Sequence, residues 1–338
     1  MKLGLQLGYW QKHPTPRFIE LAQVAESLGF DSVWTAEAYG SDCFTPLAAI
    51  AASTKRIRLG TGVMQISART PTCAAMTALT LDHISNGRLI LGVGVSGPQV
   101  VEGWYGQPFT KPLERTREWI QIFRQVIARE QPVEFHGEQY NLPCTTGMGL
   151  GKPLKSITHP LRKRIPVVLG AEGPKNVALA AEAFDGWLPI FCSPYKMDIF
   201  ADSLQAAGPD FEIAAMVNLA INDDLQQALV PGKWTMALYL GGMGAKGMNF
   251  HKNLLGRMGY ADDAQKIQDL FLAGRQQEAV DAVPDALVDE ISLLGPQARI
   301  RERLQDWKKA RVSSLLIGHS GDFDLTVANM EFLARELL

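Results

Sequence analysis

Between the apolar run ending at Leu169 and an alanine-rich helical segment opening at Lys175 lies a short turn, Gly170-Ala171-Glu172-Gly173-Pro174. Glycines at 170 and 173 let backbone N–H groups reach a ligand with no Cβ in the way. Pro174 suits the first turn of a helix, where its missing N–H costs nothing. The amino end of a helix has free N–H groups and a partial positive charge, and Lys175 adds a full one. Residues of these types in this order make a cradle for a phosphate. They would equally serve a plain helix start packed tightly on its neighbours.

Three other stretches carry comparable chemistry. "LGVGVSGPQ" (Leu91–Gln99) has glycines at 92, 94 and 97, which would admit something flat or phosphorylated, or simply fit a crowded barrel interior. "GTGVMQISART" sets Gly62 before the β-branched Val63 at a strand end, the pattern of a bulge, with Arg69 within reach of the rim. Glu37 is a lone carboxylate closing an apolar strand. It can orient a substrate or pass a proton, or stand solvated at the rim. The six histidines show no metal-ligand spacing, so no metal is expected. His83 reads as structural, and His319, ending the last strand, is a minor candidate. G-x-S-x-G and the P-loop are absent, and "LGLQLGYW" lacks the dinucleotide fingerprint.

These stretches need elements to position them. Apolar runs alternate with amphipathic helical segments along the chain: strands at "LGLQLGY", "DSVWTAE", "RIRLGTGVMQI", "RLILGVGVSG", "IPVVLGA", "GWLPIF", "FEIAAMVNLAI" and "SSLLIGH", with helices between them. Thr45 reads as a cap with Pro46 in the first turn, and a helix is expected near Tyr195–Ala206. Eight parallel strands alternating with helices predict a closed (β/α)8 barrel, α/β in class, as one domain over 1–338. Two stretches break the rhythm and read as insertions, at about 131–164 and 231–297. In such a barrel, function sits at the carboxyl ends of the strands, and all four stretches fall there.

Composition agrees. The 338 residues are 46% hydrophobic and 20% charged, enough for a large core. A net charge of −2 predicts neither a nucleic-acid nor an anionic-membrane partner. The four cysteines are unpaired in pattern and read as reduced, mostly buried thiols. Neither a signal peptide nor a membrane span is evident, and a cytoplasmic protein is expected.

Together, "AESLGFDSVWTAEAYG", "RIRLGTGVMQISARTP", "LTLDHISNGRLILGVGVSG", "VLGAEGPKNVALAAEAFDGWLP" and "ALYLGGMGAKGMNF" resemble the luciferase-like oxidoreductase superfamily. Within it the chain is most similar to the coenzyme F420-dependent oxidoreductases. The resemblance covers nearly the whole chain and implies a tricyclic cofactor at the strand carboxyl ends, F420 or alternatively FMN. It implies a non-proline cis peptide at Gly62–Val63 behind the ring, cofactor contacts from Val95, Ser96 and Gly97, and phosphate contacts from Ala171, Glu172 and Gly173. Arg69 and Lys175 are candidates for its anionic tail, and Trp10, Tyr39, Trp104 and Tyr105 for an aromatic wall. The Asp–His pair of the family's sugar-phosphate dehydrogenases is replaced by Glu37–Ala38, and their catalytic carboxylate by Gly97. The resemblance therefore implies hydride transfer to another small substrate, with Glu37 handling the proton, in a homodimer. An FMN-dependent monooxygenase and a non-catalytic cofactor binder are the alternatives.

Overall fold

Each of the eight expected runs forms a strand. The structure, a computed structural model, describes residues 1–243 and 247–338; part of "ALYLGGMGAKGMNF", and of the second insertion, therefore lies outside the described residues. The strands are β1 (Lys2–Gly8), β2 (Ser32–Thr35), β3 (Arg58–Thr61), β4 (Met64–Gln65), β5 (Leu89–Gly94), β6 (Phe135–His136), β7 (Asn141–Leu142), β8 (Val167–Leu169), β9 (Gly186–Trp187), β10 (Glu212–Ile221), β11 (Ser292–Gly295) and β12 (Ser314–Gly318). β1, β2, β3, β5, β8, β9, β10 and β12 pair in that order, all parallel, and β12 returns to β1 to close an eight-stranded barrel. β4 continues β3 beyond a break at Gly62–Val63 and pairs with β5. β6 and β7 form an antiparallel hairpin in the first insertion.

The barrel interior is plugged by Trp34, whose indole N–H donates to Ser32 Oγ at 2.9 Å. Its neighbours on the flanking strands make the room. A Cβ on Gly60 would come within 2.2 Å of the Trp34 ring, and one on Gly4 within 3.1 Å of its Nε1. Ile90, Val168, Leu188, Ala214 and Leu316 complete the plug. With the interior filled by side chains, the strand carboxyl ends are left for function.

The amino-terminal side is tied by charge. Arg58 bonds Asp31 of the preceding turn and Glu212 of β10, and Lys2 pairs with Glu212 as well. Burial pushes Glu212 up, but Lys2 and Arg58 outweigh it and hold the carboxyl below its ordinary value. A carboxylate held low stabilises the fold above its unfolded-state pKa, and that contribution is lost as pH falls through the folded value. Glu212→Gln should therefore cost up to about 1 kcal/mol at pH 7, because the pairs are partly screened by solvent. The gap from wild type should close in acid, below about pH 4. Urea unfolding at several pH values checks this; a gap that widened in acid would show that these pairs do not hold the barrel base.

Several elements differ from expectation. The helix Phe44–Ser53 starts without Thr45 as its cap; Asp42 Oδ1 accepts from the N–H groups of Phe44 and Thr45, at 2.8 and 2.9 Å, and does that work. By contrast Thr70 caps Pro71–Ile84 through Cys73 N–H. Tyr195–Ala206 forms only a 3-10 turn, Met197–Phe200. The second insertion begins earlier than Pro231, which sits inside the helix Leu225–Gly241. That insertion is largely helical and ends in β11, which pairs in parallel with the last residues of β10. Cys43 and Cys192 are buried, but Cys73 and Cys144 are exposed, on a helix's solvent face and in the irregular part of the first insertion. Among the described residues no helix is long and apolar enough to cross a membrane.

Candidate active site

Glu37 lies two residues beyond β2 and is stitched to the break in the third stave. Gly62 N–H donates to Thr35 O at 2.6 Å, Glu37 N–H to Val63 O at 3.3 Å, and Gln65 Nε2 to Glu37 O at 3.1 Å. The carboxylate continues the pattern. Oε1 accepts from Gln65 N–H at 2.9 Å and from Arg69 Nη1 at 2.6 Å. Oε2 accepts from the same Arg69 nitrogen at 2.9 Å and, more weakly, from Cys43 N–H at 3.4 Å. The Glu37 side chain is 3% exposed. Arg69 rests on the Phe44 ring, 5.0 Å from its centroid, and turns its Nη1 to Glu37. Burial, with Glu37 beside it, pushes the Cys43 thiol well up, so it stays protonated.

The Gly62–Val63 peptide is cis. Val63 packs between two other strand ends. A Cβ on Gly94 would meet Val63 Cγ2 at 2.7 Å, and one on Gly170 would meet Val63 Cγ1 at 3.0 Å. Two glycines that read as ligand-approach positions thus serve first to seat this side chain. Gln6 lies against Gly62, and its Nε2 is buried without a partner, as is Oε1 of Gln65. Unpaired buried amides are costly, and a ligand with hydrogen-bonding edges would satisfy them.

At the end of β5, Val95 packs on the core, Ser96 takes φ 60°, and Gly97 precedes the short helix Pro98–Gly103. Tyr39 and Trp104 stand exposed with ring centroids 6.5 Å apart, and Tyr105 donates its hydroxyl to Ala38 O at 3.2 Å. Trp10 turns instead to Phe18, 5.6 Å away. His83 bonds the His159 carbonyl at 2.8 Å, a structural contact. His319 Nδ1 accepts from Gly321 N–H, and burial lowers its pKa.

The turn after β8 has the features of a cradle. Ala171 is buried and its carbonyl accepts from Trp187 Nε1 at 2.8 Å. Among the described residues the N–H groups of Ala171, Glu172 and Gly173 have no backbone acceptor. Gly173 precedes the helix Pro174–Ala183 in extended conformation, and a Cβ there would meet nothing within 4 Å. Lys175 is exposed on the first turn.

The sequence reading missed three residues here, all from the second insertion. His251 Nδ1 lies 2.6 Å from Glu172 Oε1, and Arg257 Nη2 donates to the Glu172 carbonyl at 2.6 Å. Tyr239 meets the His251 ring edge-on at 4.8 Å, and Phe191, from the end of β9, does so at 5.7 Å. Burial first, then Tyr9 and Glu172, push the Tyr239 phenol up to about 12, so it is neutral. The unusual glycine-rich run before His251 was the available signal. Among the described residues no cluster could hold a metal ion.

Among the described residues, Gln6 Nε2, Gln65 Oε1 and the N–H groups of the turn after β8 are unpaired toward the carboxyl ends of their strands, the end of a β/α barrel at which active sites are built. Comparison with known proteins makes the class specific. The chain belongs to the luciferase-like family: the family described as luciferase-like monooxygenase matches residues 4–314. A Mycobacterium tuberculosis protein, provisionally named a coenzyme F420-dependent oxidoreductase, is 53% identical over 94% of each chain. The 5,10-methylenetetrahydromethanopterin reductase of Archaeoglobus fulgidus is 28% identical over 94% of this chain and 93% of its own. The solved F420-dependent tetrahydromethanopterin reductase of Methanopyrus kandleri superposes with a TM-score of 0.79 at 23% identity, covering 99% of this chain and 97% of that one, and shares the fold.

Proposed function

We propose that the chain, acting as one unit over 1–338, is a coenzyme F420-dependent oxidoreductase that transfers hydride between the deazaflavin and a small organic substrate. The carrying observation is the bulge at Gly62–Val63, buttressed by Glu37, seated against Gly94 and Gly170, and flanked by the unpaired Gln6 Nε2 and Gln65 Oε1. A flat ring with carbonyl and N–H edges fits those amides. The 53% identical relative named for F420 supports this cofactor over FMN. When bound, the deazaflavin supplies the hydride chemistry; the protein supplies binding, orientation and field.

In this reading Gly62 and Val63 back the ring, Val95, Ser96 and Gly97 line its edge, and Ala171, Glu172 and Gly173 offer N–H groups to the phosphate beside Lys175. Glu37, with both oxygens engaged, acts on the reaction chiefly by fixing the bulge. Tyr39 and Trp104 offer an apolar wall to the substrate. The reading includes a cytoplasmic homodimer; exposed Met148, Leu150 and Ile157 of the first insertion offer apolar surface for it.

Titration of the purified protein with F420 and with FMN, read by tryptophan fluorescence, tests the proposal. F420 should bind more tightly. Gly173→Asp should weaken F420 about tenfold or more with little change in fold, since its Cβ meets open space and the added carboxylate faces the phosphate. A variant with unchanged affinity removes the turn from the site, and a preference for FMN moves the reading to a flavin monooxygenase.

A further inference from the structure

Three tyrosines stand at the barrel mouth: Tyr9 directly after β1, Tyr39 shortly beyond β2, and Tyr239 in the helix Leu225–Gly241, against Phe191 at the end of β9. Among the described residues, Tyr105, Tyr195 and Tyr260 donate their hydroxyls to Ala38 O, Asp306 and Glu290 at 3.2, 2.8 and 3.1 Å, whereas the hydroxyls of Tyr9, Tyr39 and Tyr239 meet no hydrogen-bonding group. Other polar side chains beside them are already engaged: Glu37 with Arg69, Ser41 Oγ with Trp10 N–H at 2.9 Å, and Thr15 with Leu7 O at 3.1 Å.

Two of the three phenols are held in place. The Tyr239 ring lies edge-on between Phe191 at 5.1 Å and His251 at 4.8 Å, and its backbone carbonyl accepts from Asn249 Nδ2 at 3.0 Å. Phe191 itself takes φ 55°, a left-handed backbone that an aromatic residue adopts only where packing enforces it. Tyr9 follows Gly8, whose φ of 65° turns the chain out of β1, and packs on the loop after β2: a Cβ on Gly40 would lie 2.5 Å from Trp10 O and 3.7 Å from Tyr9 Cδ2. The phenols are neighbours across the mouth. Burial and then Tyr39 push Tyr9 up, and burial and then Tyr9 push Tyr239 up. Both therefore keep their protons at neutral pH and offer O–H donors.

We propose that Tyr9 and Tyr239 together hold the reacting oxygen of the substrate, a carbonyl compound with a flat apolar body that lies against Tyr39 and Trp104. A carbonyl oxygen has two lone pairs and no proton, so it takes one hydroxyl donor from each side. The inference rests on the F420 reading above and concerns substrate, not cofactor, contacts.

The test titrates acetophenone and ethylbenzene, of like shape with and without the oxygen, into the F420-loaded protein by isothermal calorimetry. In wild type, acetophenone should bind about tenfold or more tighter than ethylbenzene. Tyr9→Phe and Tyr239→Phe remove only a hydroxyl. Each should weaken acetophenone about three- to tenfold, leave ethylbenzene within about twofold, and leave F420 affinity within about twofold. Equal wild-type binding of the two probes, or no binding of either, overturns the inference and leaves the F420 reading intact. So do variant losses that fall equally on both probes, the mark of a packing role. Failure of F420 itself to bind overturns that reading and the inference with it.

Discussion

Arg69→Met should destabilise the protein by about 3–5 kcal/mol, the usual cost of leaving a buried carboxylate without its counter-charge. The Glu37 side chain is 3% exposed, and Arg69 Nη1 contacts both of its oxygens, at 2.6 and 2.9 Å. The remaining donors, Gln65 N–H at 2.9 Å and the N–H and thiol of Cys43 at 3.4 Å each, carry no charge to neutralise it. The double variant Glu37→Met/Arg69→Met should cost less than Arg69→Met alone, because no charge is then left buried. Urea unfolding of the two single variants and the double gives the cycle. A loss under about 1 kcal/mol for Arg69→Met would place the pair among rim ion pairs and return Glu37 to proton transfer. Glu37→Gln separates the roles by another route. A positioning residue lowers turnover at every pH, whereas a proton carrier removes one limb of the pH profile.

Gly94→Ala should weaken F420 binding about tenfold or more, and Val63→Ala in the same chain should restore much of it. The new methyl would fall 2.7 Å from Val63 Cγ2, so either the side chain or the bulge beneath it must move. Overpacking of this kind costs about 1–3 kcal/mol, which a barrel of this size tolerates. Trimming Val63 removes the colliding carbon while leaving the backbone contacts from Thr35, Glu37 and Gln65 in place. Fluorescence titration reads the affinity and urea unfolding reads the fold. Unchanged affinity in Gly94→Ala would mean that Val63 does not back the ligand.

The barrel was legible because its staves are short apolar runs separated by amphipathic helices, two signals that local sequence carries well. Gly4, Trp34 and Gly60 stand one on each of three adjacent strands, so the plug too was readable once register was known. Other features arise only in three dimensions. The pairing of Glu37 with Arg69 joins two loops, so a carboxylate that reads as lone is engaged. Pro231 reads as a boundary because proline usually ends helices, yet packing of Ala228, Leu229, Met236 and Ala237 carries the helix across it. β11 stands among the helices of the insertion and pairs outside the barrel, so the strand–helix alternation that marks the staves does not announce it. His251 and Arg257 belong to that insertion, and no spacing rule relates them to Glu172, some eighty residues earlier in the chain.

β10 is the longest strand: Ala214–Val217 pairs with β12 in the barrel, and Asn218–Ile221 pairs beyond it with β11. The chain therefore leaves for its second insertion and returns from it on adjacent, parallel backbones. Such a junction suits inheritance by whole segments. A recombination event that exchanged the stretch from 222 to 291 would leave all eight staves paired, while replacing Tyr239, His251 and Arg257 together. On this architecture, new ligand preferences can be acquired by exchanging one block, with the barrel and its bulge passed on unaltered.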